Sequence, residues 1–387
     1  MLTTLAVENY RSLRDLVLPL SGLTVVTGPN GSGKSSLYRA LRLLADASRN
    51  GAVAALAHEG GLPSTLWAGP ETIGRSVREG RTPVQGTVRT KALGLKLGFA
   101  GDEYGYALDL GIPQPLDTMF NRDPEFKREA VWSGPVLRPS ALLAERSGPA
   151  VRTRVESGGW GSDVHKIRLT DSMLSEFADP RACPELLLVR ERIRGWRFYD
   201  HFRTDARAPA RQSQIGTRTP VLSHDGADLA AALRTIIEIG RAAELESIVD
   251  QAFPGSRLEV VAPESRFTVR FHQHGLLRPL EAAELSDGTL RFILWVAALL
   301  TPRPPELLVL NEPETSLHPD LLPALASLIA VAAKETQVVV VSHAQPLIRA
   351  LSEIAEVGEV ELEKEYGETK LVGQGRLDRP SWHWPAR

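Results

Sequence analysis

Residues 28–35 read Gly28-Pro29-Asn30-Gly31-Ser32-Gly33-Lys34-Ser35, and Ser36 follows. This is the pattern G-x-x-x-x-G-K-[ST]; the chain's own Gly, Lys and Ser/Thr frequencies give about 0.007 such matches by chance. Just before it, Leu23–Thr27 is apolar and β-branched, as a buried strand would be. Just after it, Lys34–Ala47 places Leu37, Leu41 and Leu44 at helical spacing. Strand, Gly-rich loop and helix together form the context of a phosphate site. Glycines let backbone N–H groups turn inward as an anion nest, and the helix N-terminus adds its positive dipole end. Lys34 is placed to reach the β and γ phosphates, and the Ser35 hydroxyl sits where Mg²⁺ binds. The plainer alternative is a Gly-rich turn that merely caps a helix.

Three further segments fall in order behind this loop. Leu307–Leu310 is an apolar strand ending in Asn311-Glu312. In a nucleoside triphosphatase such a strand usually ends in Asp, which holds Mg²⁺ through water, and then Glu, which polarises the attacking water. Asn311 keeps an oxygen there but lacks the charge, so Mg²⁺ is expected to bind more weakly while the base Glu312 is kept. Ser286-Asp287-Gly288 opens a buried helix near Leu290, about 20 residues before that strand end, and is a second anion-binding helix start. Taken alone it reads as an ordinary N-cap. Ser342-His343 follows the strand Val338–Val341, where a histidine can sense a γ phosphate.

This order, with Asn311-Glu312-Pro313-Glu314-Thr315-Ser316-Leu317-His318-Pro319, resembles the ABC-type ATPase heads of the SMC/RecF-like group. More narrowly it resembles stand-alone bacterial AAA/ABC ATPases related to the ATPase half of OLD-family nucleases. Asn9-Tyr10-Arg11-Ser12-Leu13 is similar to that group's opening motif, which would put Arg11 near the nucleotide. The resemblance covers most of residues 1–350. It implies an α/β P-loop fold of ABC-head topology with an antiparallel β subdomain and an inserted helical lid. It implies ATP and Mg²⁺ as cofactors, the loop residues 28–36 on the phosphates, and a homodimer with ATP sandwiched between subunits. Ser286 and Gly288 would contact the γ phosphate held by the partner, Thr315 and Ser316 would cross the interface, Glu312 would be the general base and His343 the sensor. Three departures stand out: Asn311, Asp287 where many members have Gly, and no clear Q-loop glutamine beyond the weak candidates Gln85 and Gln114. The implied function is ATP hydrolysis coupled to DNA or a DNA-acting partner, in repair or antiphage defence. Asn311 motivates an alternative: a slow or non-hydrolysing nucleotide-gated switch that regulates an effector. The stretch after His343 is too short for a Toprim nuclease, so any nuclease that takes part is expected to be a separate chain.

The 387 residues suggest two or three domains. Hydrophobic residues are 43% and charged residues 24%, which excludes a mainly disordered chain. With 45 basic and 47 acidic residues, attraction to a polyanion must be local. The lone Cys183 excludes an internal disulfide and fits a reducing cytoplasm. No apolar run approaches a membrane span and no signal peptide is legible. Hairpins are expected over Leu93–Phe99/Tyr104–Leu110, Leu258–Val261/Phe267–Phe271 and Val360–Glu365/Thr369–Val372, a helix over Asp228–Phe253, and a connector over residues 133–163. The expected organisation is an N-terminal ATPase lobe at 1–135, an Arg-rich lid at 136–220, a C-terminal lobe at 221–358, and a hairpin with tail at 359–387. Arg190, Arg192, Arg194, Arg197, Arg203, Arg207, Arg211 and Arg218, interleaved with Trp196, Phe198 and Tyr199, admit two readings. One is a nucleic-acid face; the other is a solvated Arg-rich surface with its aromatics in the core. Trp382-His383-Trp384 either docks on a partner or packs on its own domain.

Overall fold

Four strands pair in parallel in the order Arg197–Tyr199, Leu307–Asn311, Gln337–Val341, Leu23–Thr27. Tyr199 lies opposite Leu310, Asn311 opposite Val341, and Val341 opposite Val26. The strand ends are therefore level, and the ends of Leu307–Asn311 and Gln337–Val341 carry the polar residues. Every side chain from Leu307 to Leu310 and from Val338 to Val341 is buried. That is why these strands read as continuous apolar runs rather than alternations: a parallel sheet is covered on both faces. The computed structural model describes residues 1–70, 94–114, 117–155, 158–161, 164–177, 179–375 and 378–386.

The chain divides into two compact units. One contains Ser21–Thr27 and Trp196–Glu359. Besides the parallel strands it holds the helices Leu229–Ile236, Ala242–Ala252, Asp287–Leu299, Leu322–Ala333 and Gln345–Ile354. Its core joins Leu23 and Val25 to Tyr199, Phe202, Phe292, Trp295 and Leu325. The helix expected over Asp228–Phe253 is present, broken at Gly240, whose φ of 103° is non-helical. The expected hairpin is Arg257–Val261 against Arg266–His272.

The other unit contains Met1–Leu20, Gly28–Gly195 and Val360–Arg387. It is built on an antiparallel sheet of eight strands, running from Leu13–Pro19 and Leu2–Tyr10 through Leu95–Gly101, Tyr104–Gly111 and Glu125–Ser133 to Leu142–Ser147, Ala150–Thr153 and His165–Lys166. Here the sequence reading needs a correction. Residues 133–163 are not merely a connector, because Leu142–Ser147 and Ala150–Thr153 continue this sheet. Their alternation is disguised by an ion pair on the inner face. Arg146 and Glu129 are both fully buried, 2.8 Å apart. Tyr106 and Ser172 donate to Glu129 as well, which satisfies the carboxylate. The lid expected over 136–220 is likewise not one element: it supplies those strands, the helix Pro184–Gly195, and then Arg197–Tyr199 of the parallel sheet.

The tail packs on its own unit. Trp382 meets Trp132 edge-on at 5.7 Å and Trp384 at 5.1 Å. A Cβ at Gly98 would come within 2.6 Å of the Trp382 ring, so the glycine is what lets the indole lie on the sheet. Among the described residues no helix is long and apolar enough to cross a membrane.

Candidate nucleotide site

The loop 28–33 leaves the end of Leu23–Thr27 and enters the helix Lys34–Ala47. Gly28, Gly31 and Gly33 hold φ values of 137°, 79° and 112°, a region that disfavours any side chain. No side chain caps the helix, so its first-turn N–H groups at Lys34, Ser35 and Ser36 remain available to an anion. Lys34 is 6% exposed, and its Nζ donates to the carbonyls of Gly28 at 2.6 Å and Pro29 at 3.0 Å. Among the described residues no carboxylate neutralises this buried ammonium. Among the described residues the buried Ser32 hydroxyl has no partner. A buried cation without a counter-charge and an orphaned hydroxyl are costly unless an anion completes them. A triphosphate fits that need.

A residue that sequence reasoning missed buttresses the loop. The strands Gly358–Glu365 and Glu368–Leu371 form the expected C-terminal hairpin. Buried Thr369 donates through its hydroxyl to the Ser32 carbonyl at 2.7 Å, and its Oγ1 lies 2.8 Å from Ser12 Oγ. Its N–H donates to the Ser12 carbonyl. Thr369 thus ties the opening motif to the phosphate loop. Arg11 itself is engaged by Glu59, at 2.6 and 3.1 Å. Gln114 is exposed. Gln85 lies outside the described residues.

In the other unit, Glu312 follows the strand Leu307–Asn311 with φ 47°. Such a conformation in a non-glycine residue costs about 1–3 kcal/mol and persists where surroundings impose it. Its N–H donates to the Val341 carbonyl at 2.7 Å, and its own carbonyl accepts from Thr315. The carboxylate is half-exposed, with Oε1 3.5 Å from His343 Nδ1. Glu314 is buried; one oxygen accepts from the Ser342 hydroxyl at 2.6 Å and from the His343 N–H at 3.3 Å. Glu312, Glu314 and His343 are therefore one cluster, which brings the sequence candidates Glu312 and His343 together around Glu314.

The helix start Ser286-Asp287-Gly288 is fixed from two sides. Ser286 caps the helix by accepting from the Thr289 N–H at 3.1 Å. Arg211, nearly buried, donates to the carbonyls of Ala282, Ala283 and Leu285 and to Asp287 Oδ1 at 2.8 Å. The unusual Asp287 thus has a partner 76 residues away that no local pattern announces. Arg291 donates to the Thr315 carbonyl at 2.9 Å and to the Phe202 carbonyl at 3.1 Å. Burial lowers its pKa and Asp287 opposes that, but a guanidinium keeps its charge. It couples the helix Asp287–Leu299 to the loop after Glu312. Gly288 faces the Ser316 carbonyl, which a Cβ would approach to 3.4 Å.

In the Arg-rich segment the interleaved aromatics belong to the core. Trp196 and Tyr199 are buried and Phe198 nearly so, which leaves no aromatic face for a base to stack on. Arg190 and Arg194 pair with Glu191, Arg192 with Glu103, Arg203 with Asp205, and Arg218 with Glu238.

Residues 23–350 match the family model described as "AAA domain, putative AbiEii toxin, Type IV TA system". The chain belongs to this AAA-domain family. A short stretch of 44 residues is 50% identical to an OLD nuclease of Thermus scotoductus, taking in 11% of this chain and 8% of that protein. The chain therefore spans a small part of that relative's length. Among solved structures, an SMC head bound to the C-terminal winged-helix domain of ScpA is similar over 96% of this chain and 97% of that one, with a TM-score of 0.51 and 14% identity. The SMC head of Thermotoga maritima gives 0.46 and 15% over 96% of this chain and 98% of that one. The AAA domain thus has a mixed α/β fold like an SMC head, as the resemblance implied. Among its described residues no cluster of three or more His, Cys, Asp or Glu forms a metal cage.

Proposed function

We propose that this AAA domain binds ATP on residues 28–36 and hydrolyses it with Glu312 as general base. The observation that carries the reading is the buried Lys34 ammonium, whose partners among the described residues are loop carbonyls. Bound Mg²⁺ would neutralise charge on the β and γ phosphates. Ser35 and Asn311 are the residues we assign to hold it. The half-exposed Glu312 carboxylate takes a proton from the water that attacks the γ phosphorus, and ADP leaves. His343, beside Glu312, senses the γ phosphate. Ser286, Asp287 and Gly288, held by Arg211 and Arg291, present a preformed helix start to the nucleotide of a second copy. Thr315 and Ser316 line that interface.

The relatives' names point to defence: a toxin–antitoxin family description and a nuclease. We propose DNA, or a separate DNA-acting effector or nuclease chain, as the coupled partner, in the cytoplasm. Asn311 favours a second reading, a nucleotide-gated switch with little turnover.

Steady-state ATP turnover at low salt, with and without linear double-stranded DNA, separates these. Coupling to DNA predicts stimulated turnover that falls as salt rises. Measurable turnover indifferent to DNA at every salt concentration contradicts direct DNA coupling and leaves the protein partner. Absence of turnover despite ATP binding favours the switch.

A further inference from the structure

Asn311 removes a carboxylate from the end of its strand, and the neighbouring strand returns one. Parallel pairing sets Tyr199 opposite Leu310, so Asp200 and Asn311 leave the sheet side by side. Asn311 Nδ2 donates to Asp200 Oδ1 at 2.7 Å. The Asn311 amide N–H₂ therefore faces Asp200. Asp200 is exposed, and among the described residues no cation pairs with it. The nearby arginines are engaged elsewhere: Arg203 on Asp205, Arg211 on Asp287 and main-chain carbonyls, and Arg291 on main-chain carbonyls. An exposed amide–carboxylate hydrogen bond adds little to folding, so stability alone gives weak reason for a charge there.

We propose that Asp200 supplies the negative charge that Asn311 lacks, acting through water on the divalent cation that accompanies ATP. The proposal rests on the ATP reading above. Asp200 is the acidic member of a two-strand pair, and Asn311 is the residue that orients it. The pair is one carboxylate and one amide, the same net charge as an Asp at position 311 alone.

Asp200→Asn isolates the charge, because its side-chain oxygen still accepts from Asn311. The test is equilibrium binding of a fluorescent ATP analogue to the full chain, once in EDTA and once with Mn²⁺. For the natural protein Mn²⁺ tightens binding. In Asp200→Asn that tightening falls about tenfold, as loss of a unit charge near a dication predicts. Affinity in EDTA stays the same or rises, since a carboxylate near a triphosphate is repulsive. The exchange variant Asp200→Asn with Asn311→Asp regains the tightening. Equal tightening in Asp200→Asn and the natural protein overturns the proposal and leaves the ATP reading standing. So does ATP binding that Mn²⁺ does not affect. A natural protein that binds no ATP under either condition overturns the ATP reading, and the proposal with it.

Discussion

Glu312→Gln is expected to bind ATP as well as the natural protein and to turn it over about 10²–10⁴-fold more slowly, the usual contribution of a positioned general base. The substitution keeps size and hydrogen bonding and removes only the basic oxygen. Nothing in the backbone needs the charge: the Glu312 turn is held by its N–H on the Val341 carbonyl and by Thr315 on its own carbonyl. Buried Glu314, not Glu312, anchors Ser342 and the His343 N–H. The fold around the site should therefore survive. Single-turnover hydrolysis together with an equilibrium binding curve checks both halves of the claim. A turnover number unchanged by the substitution would remove Glu312 from the base role and leave His343 without the neighbour that gives it a catalytic meaning.

Gly28→Ala is expected to have the largest effect on binding. A Cβ at this position would lie 2.2 Å from the Leu362 carbonyl oxygen, and φ is 137°. Backbone strain of about 1–3 kcal/mol adds to overpacking of about 1–3 kcal/mol. The loop cannot relieve both and keep its nest, so ATP affinity should fall at least about 30-fold. Gly31→Ala is the control. It also has positive φ, 79°, but a Cβ there meets nothing within 4 Å. Its loss should be limited to strain, about 1 kcal/mol or roughly fivefold. Titration with a fluorescent ATP analogue separates the two. Equal affinities for Gly28→Ala and Gly31→Ala would show that the contact with the C-terminal hairpin does not shape the loop.

That contrast also shows what was legible in the sequence. The loop, the strand before it, the helix after it and the apolar parallel strands could be read because each is local and its periodicity or glycine spacing has one physical cause. The order of the later motifs was legible for the same reason. The supports were not. Thr369 reaches Ser32 across 337 residues, Asp200 reaches Asn311 across 111, and Arg211 reaches Asp287 across 76. Each is an ordinary polar residue until the fold brings its partner to it. Residues 133–163 misled for a different reason. Arg146 and Glu129 satisfy each other inside the sheet, and a charged inner face looks like a loop to any pattern built on hydrophobicity. The aromatics at 196–199 were open to two readings because a one-strand stretch bears the same residues whether it faces a base or a core.

The account stands on ATP joining two copies through Ser286, Asp287 and Gly288. The most direct measurement is the particle mass of Glu312→Gln in solution, by sedimentation, without nucleotide and with saturating ATP and Mg²⁺. The account predicts the 42.2 kDa monomer mass alone and twice that mass with ATP, with Ser286→Arg abolishing the change. A protein shown to bind ATP that keeps one mass throughout would contradict it.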